Sequence, residues 1–464
     1  MSYETEMPEK IDNKAKIQKV IYALKFSYFA YYFSVGCIHN FYPILLKKIN
    51  FPNSQIGITQ AVGLIGGTIS PVLIGYLADR TKKSRLILII ITIFTIIFHA
   101  IPISTISIKL MVEYSKPTES KAEGSPSSQF LYLLCFFQFC TTFGDQATKA
   151  LLDGVVHKSV ATFASEGVLC DFARLRMFGG IGIGVATFLG GLALQYLKSS
   201  LPGGMPEEFC LVFVCIIMGA ILIVVLVIYL PDAETQGRVS FLDTFKDVAT
   251  RVDALICFAI QFTIQFAFNI TKQFETLYIQ HLGGSKSWIG TATALGYVVD
   301  VMMMYLSPTI SDAIGGKEMT ISYGSMVAML RTMFYAFADN KYMAITNYVL
   351  LGFSSGLIIP TMSSLIKSKS PPSLISSYVS LLTATGKIGA AIASYAGGII
   401  SERYSYTMIY VISALTFGST ILLFFILKKY DSYKGNHFLF QLEKKEAKTK
   451  NEVHKPFLFE QESA

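Results

Sequence analysis

The sequence predicts an all-α polytopic membrane protein with 12 transmembrane helices in two pseudo-symmetric six-helix bundles. Three observations predict it. Apolar stretches of about 20 residues, the length a helix needs to cross about 30 Å of hydrocarbon, recur along most of the chain; Ile87–Ile106, Leu211–Leu230 and Thr407–Leu427 are three of them. Of the 464 residues only 15% are charged and 52% are apolar, whereas soluble chains carry about 25% charged residues. The basic residues sit in short loops and both tails: Lys10, Lys14, Lys16 and Lys19; Arg80, Lys82, Lys83 and Arg85; Lys428, Lys429, Lys444, Lys445, Lys448 and Lys450. Positive charge beside helix ends marks the cytoplasmic side, so both termini are expected there, as an even number of spans requires. The net charge of +8 then reports topology, and no nucleic-acid partner is expected.

The expected spans are 20–46, 54–78, 86–106, 130–154, 172–197, 208–230, 252–281, 288–311, 319–338, 341–366, 373–400 and 405–427. Met1–Lys19 is a polar cytoplasmic tail with no apolar core or cleavage site, so the first helix is expected to act as its own insertion signal. Ile108–Gln129 is hydrophilic and is placed outside. The first bundle covers 20–230 and the second 252–427, with a cytoplasmic linker of both charge signs at 231–251. Residues 428–464 form a charged tail expected to be disordered; its apolar-basic stretch around His437–Lys445 reads as solvated rather than as a membrane contact. The seven cysteines (37, 135, 140, 170, 210, 215 and 257) show no CxxC and no His partner at metal spacing, so they read as small packing residues. Asn269-Ile270-Thr271 fits the glycosylation pattern but falls inside a span. No metal or other cofactor is expected.

Two echoes join the halves. Gly75-Tyr76-Leu77-Ala78-Asp79 ends span 2 as Pro308-Thr309-Ile310-Ser311-Asp312 ends span 8. Ile181-Gly182 with Gly190-Gly191 in span 5 recurs as Ile388-Gly389 with Gly397-Gly398 in span 11. The two offsets differ by about the length of the loop 108–129, which the second half lacks. One duplication with one insertion accounts for both. The glycines of spans 5 and 11 let backbones approach closely, so they serve packing between moving helices rather than ligand contact.

An ionisable side chain inside a bilayer costs several kcal/mol unless paired or hydrated, so each is a functional candidate. Asp145, Lys149 and Asp153 in span 4 are spaced by four and share one helix face. Span 5 begins with Asp171, Arg174 and Arg176. Lys272 and Glu275 lie in span 7, Asp300 in span 8, Arg331 in span 9 and Lys387 in span 11. Lys25, Asp171 and Arg174 are close enough to span ends that snorkelling explains them equally well. The others suit a polar cavity between the halves. The aromatics of span 1 are explained in part by interface anchoring; Tyr28, Tyr32 and His39 alternatively line that cavity. No GxxxxGK[ST] loop occurs, and no Ser/His/Asp or paired-carboxylate arrangement rises above chance, so an enzyme is not expected.

Gly75–Arg85 (GYLADRTKKSR) resembles the loop signature G-x-L-x-D-R-x-G-R-K of the major facilitator superfamily, with Lys82 at the second glycine. Phe172–Gly182 (FARLRMFGGIG) is similar to the fifth helix of lactose permease and its relatives, and Leu152–Lys158 to the end of their fourth. Pro308 and Ile314-Gly315-Gly316-Lys317 match the end of the eighth. The resemblance runs from Phe33–Leu46 to about residue 400. It implies the major facilitator fold and proton-coupled symport by rocking of the two halves. Asp153 and Arg176 would bind solute, together with Tyr28, Tyr32, Lys149 and Tyr297. Asp300, Arg331, Glu275 and Lys387 would couple to protons, with Asp300 placed near Arg331. Gly75, Asp79, Arg80 and Asp312 would serve conformational exchange.

Departures narrow the expectation. The sugar-stacking tryptophan position holds Ile183, the eighth-helix glutamate Tyr297, the tenth-helix histidine and glutamate Leu351 and Ser354, and the seventh-helix aspartates Phe268 and Thr271. Lys387 thereby lacks a carboxylate partner, and a galactoside is disfavoured against another small polar organic solute. An uncoupled uniporter and a non-transporting receptor or scaffold on the same fold are the alternatives. A monomer is the family expectation.

Overall fold

The computed structural model describes residues 6–81, 83–114, 127–166, 168, 170, 172–197, 207–230, 241–371 and 375–433. Every regular element among them is a helix. In chain order they are α1 (Glu6–His39), α2 (Tyr42–Lys48), α3 (Asn53–Thr81), α4 (Ser84–Tyr114), α5 (Ser128–Ser165), α6 (Phe172–Tyr196), α7 (Phe209–Tyr229), α8 (Phe241–Thr250), α9 (Val252–Lys272), α10 (Glu275–His281), α11 (Lys286–Ala313), α12 (Lys317–Ala336), α13 (Met343–Lys369), α14 (Ile375–Arg403) and α15 (Tyr406–Tyr433). Twelve of these are long; α2, α8 and α10 are short.

The expected spans correspond to the long helices, with three corrections. The first and seventh spans are each broken near one end. α1 stops at His39 and resumes as α2, whose first turn holds Pro43, a residue with no N–H to donate to the preceding turn. α9 stops at Lys272 and resumes as α10. Second, helices run past the apolar stretches: α1 begins at Glu6, α4 continues to Tyr114 and α15 to Tyr433. Propagating an existing helix through Lys, Glu and Met requires little, because nucleation is already complete. Third, the linker contains a helix, α8, in which Tyr378 of α14 donates to Asp247. Among the described residues, eight of these helices meet a criterion of length and apolar composition for crossing a membrane. The long helices α1, α5, α12 and α14 fall short because they carry more polar residues, among them Lys25, Asp145, Lys149, Asp153, Arg331 and Lys387. Residues 115–126 of the expected outside loop, 231–240 of the linker, and the tail 434–464 with His437–Lys445 lie outside the described residues, as do Lys82 and Asp171.

Packing follows a two-fold scheme. In the first bundle α1 packs on α6 and α7, α3 on α5, and α4 on α5 and α7; in the second α9 packs on α14 and α15, α11 on α13, and α12 on α13 and α15. Each pair in one set has its counterpart in the other. Lipid supplies no hydrophobic drive between helices, so close backbones and polar side chains hold them. Ser34 of α1 donates to the Cys215 carbonyl of α7 at 2.9 Å, and Ser413 of α15 to the Ala267 carbonyl of α9 at 2.6 Å.

The bundles meet along α3–α14 and α6–α11, the four helices that carry the sequence echoes. At each seam two glycines face each other. A methyl built on Gly57 would stand 3.0 Å from the Gly398 Cα, and one built on Gly191 would stand 3.1 Å from the Gly290 Cα. Only glycine permits that approach.

Candidate functional site: a polar cavity between the bundles

α5 places Asp145, Lys149 and Asp153 in one row, spread over about 12 Å of helix rise. Lys149 Nζ lies 2.7 Å from Asp145 Oδ2. Tyr31 donates to Asp145 Oδ1 at 2.6 Å and Tyr28 to Asp153 Oδ1 at 2.6 Å. α6 brings Arg176 within 3.7 Å of Asp153. The Tyr28 and Tyr32 rings stack at 6.4 Å, and the Lys149 ammonium sits 5.3 Å above the Tyr32 ring. Gly179 makes room for that ring, since a Cβ there would meet Tyr32 at 2.7 Å. The structure thus joins Tyr28, Tyr32, Lys149, Asp153 and Arg176 in one constellation. Tyr31 belongs to it too; in the sequence it was one aromatic among several in the first span.

The second bundle presents a different set. Arg331 is 1% exposed and bonds Glu275, 2% exposed, at 3.3 Å. Asn347 closes the triangle, accepting from Arg331 at 2.9 Å and donating to Glu275. Asp300 accepts from Ser355 at 2.5 Å. The bonded partner of Arg331 is Glu275, which the α9–α10 break delivers to it, and that of Asp300 is Ser355. Asn347 and Ser355 were not singled out from the sequence; both lie on α13, among other polar residues such as Thr346, Ser354 and Thr361. Tyr297 lies on α11 against Gly184 of α6.

Lys149 and Asp153 lie within the long helix α5, Arg176 in the first turns of α6, and His39 and Lys272 at the ends of α1 and α9, yet these side chains remain partly exposed. Lys149, Asp153 and Arg176 keep 25%, 24% and 41% of their side chains exposed. His39 and Lys272 are exposed, and Lys387, Asp300 and Tyr297 are half-buried. Lys387 has Lys149, Asp145 and Lys272 within electrostatic reach, and Lys272 has Lys149, Glu275 and Asp300. Both bundles therefore face one polar space.

That space is shut at one end. The Ser54 N–H donates to Glu402 at 2.7 Å, and Asn53 donates to Ser401 at 3.2 Å and Tyr406 at 3.1 Å. Lys286 bonds Glu207 at 2.8 Å, and the Ser287 N–H donates to Gln195 at 3.0 Å. Each bond joins one bundle to the other. Lys48 also holds Glu207, at 2.8 Å, and Glu208. At the opposite end Arg80, Lys83, His157, Arg174 and Asp312 are exposed. There the bundles meet through the Arg174 guanidinium, 6.0 Å above the Tyr305 ring. Gly75 lies on α3 in open surroundings, and Asp79 is helical; the Asp79 side chain is outside the described set.

Comparison with known proteins accords with this architecture. The sequence model of the MFS_1 like family matches residues 21–426. The chain is 24% identical to the uncharacterized transporter YwbF of Bacillus subtilis (strain 168) over 385 residues, which is 82% of this chain and 87% of that one. It is 25% identical to the multi-drug resistance efflux pump PmrA homolog of Lactococcus lactis subsp. lactis (strain IL1403) over 176 residues, 37% of this chain and 43% of that one. Among solved structures, the nucleoside transporter NupG superposes with a TM-score of 0.68 at 15% identity, covering 89% of this chain and 99% of that one. A bacterial homolog of the human lysosomal transporter Spinster, inward-facing and occupied, gives 0.64 at 14% identity, covering 88% and 96%. These two likenesses carry the fold.

Proposed function

Because the chain belongs to the MFS_1 like family, we propose that this membrane transporter moves a small polar organic solute by alternating access and couples it to protons. One observation carries the reading: ionisable side chains from both bundles keep exposed surface in one shared space while the bundles are bonded together at one end. A static scaffold has no need to bear that cost. A transporter needs both features, a midplane site and a barrier that can change ends.

In this reading the two halves divide at 231–251 and both termini are cytoplasmic, since Arg80, Lys83 and Arg85 cluster where α3 gives way to α4 and Lys428 and Lys429 lie near the end of α15. The closed end is then the outer one, and the form described is inward-open. The protein acts as a monomer. The segment Phe172–Gly182 supports a place in the lactose-permease-like branch. Asp153 and Arg176 hold solute polar groups between them, flanked by Tyr28, Tyr32, Lys149 and Tyr297. A guanidinium beside a carboxylate suits hydroxyl and carboxyl groups alike. Asp300 is the first choice for the proton carrier, since its partner is the neutral Ser355 hydroxyl. Glu275, Arg331 and Lys387 set its electrostatic surroundings. Gly75, Asp79, Arg80 and Asp312 serve the exchange between conformations.

The test is uptake of radiolabelled sugars, nucleosides and organic acids by proteoliposomes with an imposed pH gradient. One class is expected to accumulate, and the Asp300→Asn variant to lose accumulation while retaining exchange. Undiminished accumulation in the variant removes Asp300 from the mechanism. Accumulation indifferent to the gradient leaves facilitated uniport, and binding without flux of any compound leaves a receptor.

A further inference from the structure

The cavity is not electrically balanced. Four cations face it, Lys149, Arg176, Lys272 and Lys387, against three carboxylates, Asp145, Asp153 and Asp300. Glu275 and Arg331 neutralise each other behind its wall. Asp145 is taken by Lys149 and Asp153 by Arg176. Lys272 and Lys387 have no ion pair within 4.0 Å among the described residues; Asp300 answers Lys272, and Asp145 answers Lys387, only from a distance. The two ammonium groups lie within electrostatic reach of each other and of Lys149. His39 adds only a further hydrogen-bonding ring at the same place.

A cluster of like charges in a membrane interior is held apart from its ideal partner at a standing cost. No described residue removes it. The lysines come from different helices, α5, α9 and α14. Lys272 sits at the α9–α10 break, where the helix interruption opens the ammonium toward the cavity. Three flexible ammonium groups converging from three directions can close around one acceptor-rich group, whereas a neutral hydroxyl cannot offset their charge.

We infer that the transported solute is an organic anion whose carboxylate or phosphate is held between Lys272 and Lys387, with Lys149 as the third donor. This rests on the transport reading above and narrows its solute class. The neutral part of the solute would then lie toward Tyr28, Tyr32 and Arg176. The surplus of one positive charge matches a monoanion.

The experiment uses the full-length protein in lipid nanodiscs and matched pairs: glucose with glucuronate, uridine with uridine 5′-monophosphate, glycerol with lactate, and sodium chloride as the inorganic control. Thermal melting is read with each. At least one organic anion is expected to raise Tm by about 3 °C when present at a hundredfold excess over its Kd, with its neutral partner silent. Lys387→Gln and Lys272→Gln, made separately in case one variant folds poorly, are each expected to abolish that rise. Both should also melt above the wild type without ligand, because each removes an unpaired charge. Neutral partners that stabilise as well as the anions, no organic anion that stabilises, a chloride response of equal size, or variants that keep the response would each overturn the inference. Flux of a neutral solute sinks this inference and leaves the transport reading standing; anion binding without flux does the reverse.

Discussion

At the scale of single residues the sequence shows which side chains are costly but not what relieves them. Arg331 was legible as a deep cation because nothing near it in sequence excuses a guanidinium in the twelfth helix. Its partner was not legible, since Glu275 and Asn347 stand 56 and 16 positions away and meet it only through tertiary packing. The constellation on α5 was more readable: a spacing of four fixes one face by helix geometry alone, and Arg176 was flagged beside a matching carboxylate. For the Arg331 pair the burial is nearly complete, so removing one member strands the other. Breaking a buried pair costs about 3–5 kcal/mol, whereas replacing both members by apolar residues is close to neutral. Arg331→Leu alone should therefore lower Tm sharply in nanodiscs, and Arg331→Leu with Glu275→Leu should recover most of the loss. Equal destabilisation in the single and double variants would show that packing volume, not charge, holds this corner.

At the scale of elements the helices themselves were the easiest part to read, because about 20 apolar residues admit few structures in lipid. What composition conceals is where a helix breaks and how far it runs beyond the lipid. The interruptions at residues 40–41 and 273–274 follow the C-terminal ends of α1 and α9, the first long helix of each bundle, and α2 and α10 touch each other. Neither break has a strong local signal, except Pro43. Gly191 and Gly398 were readable as close-approach sites from their recurrence; the structure supplies their partners, Gly290 and Gly57, at the seams α6–α11 and α3–α14. The prediction follows from the space available. A Cβ on Gly290 would stand 2.8 Å from the Thr187 carbonyl, closer than real side chains tolerate. Gly290→Val must push α6 and α11 apart at the closed end. Spin labels at Tyr196 and Tyr404, both exposed at that end, should report a longer mean distance in the variant. An unchanged distance distribution would mean that the seam absorbs the bulk without opening.

At the scale of the whole molecule the internal repeat foretold the architecture, since both echoes fall in the helices that join the bundles. It could not foretell which end is closed, because a symmetric scaffold supports either barrier and the choice rests on a few cross-bundle bonds. The Glu207–Lys286 pair is the ionic member of that set. Burial opposes ionisation of Glu207, but hydrogen bonds from Lys286 and Lys48 outweigh it and bring its pKa down to about 2. A carboxyl depressed from about 4.3 stabilises the closed form fully above that value and loses its effect only as pH falls toward 2. Between about pH 5 and pH 8 the latch is thus a constant. Any pH dependence of transport in that window must arise elsewhere, in the cavity carboxylates or in the histidines, whose ordinary pKa falls inside it. Glu207→Gln should weaken a charge-assisted bond worth about 1.5–3 kcal/mol and shift the population away from the closed arrangement by about tenfold or more. The label distance at the closed end should lengthen by the same amount at each pH, with the pH profile of uptake keeping its shape. Asp300→Asn should do the opposite, flattening the profile while leaving the label distance alone. A flattened profile in Glu207→Gln would instead assign the proton response to the latch and remove it from the cavity.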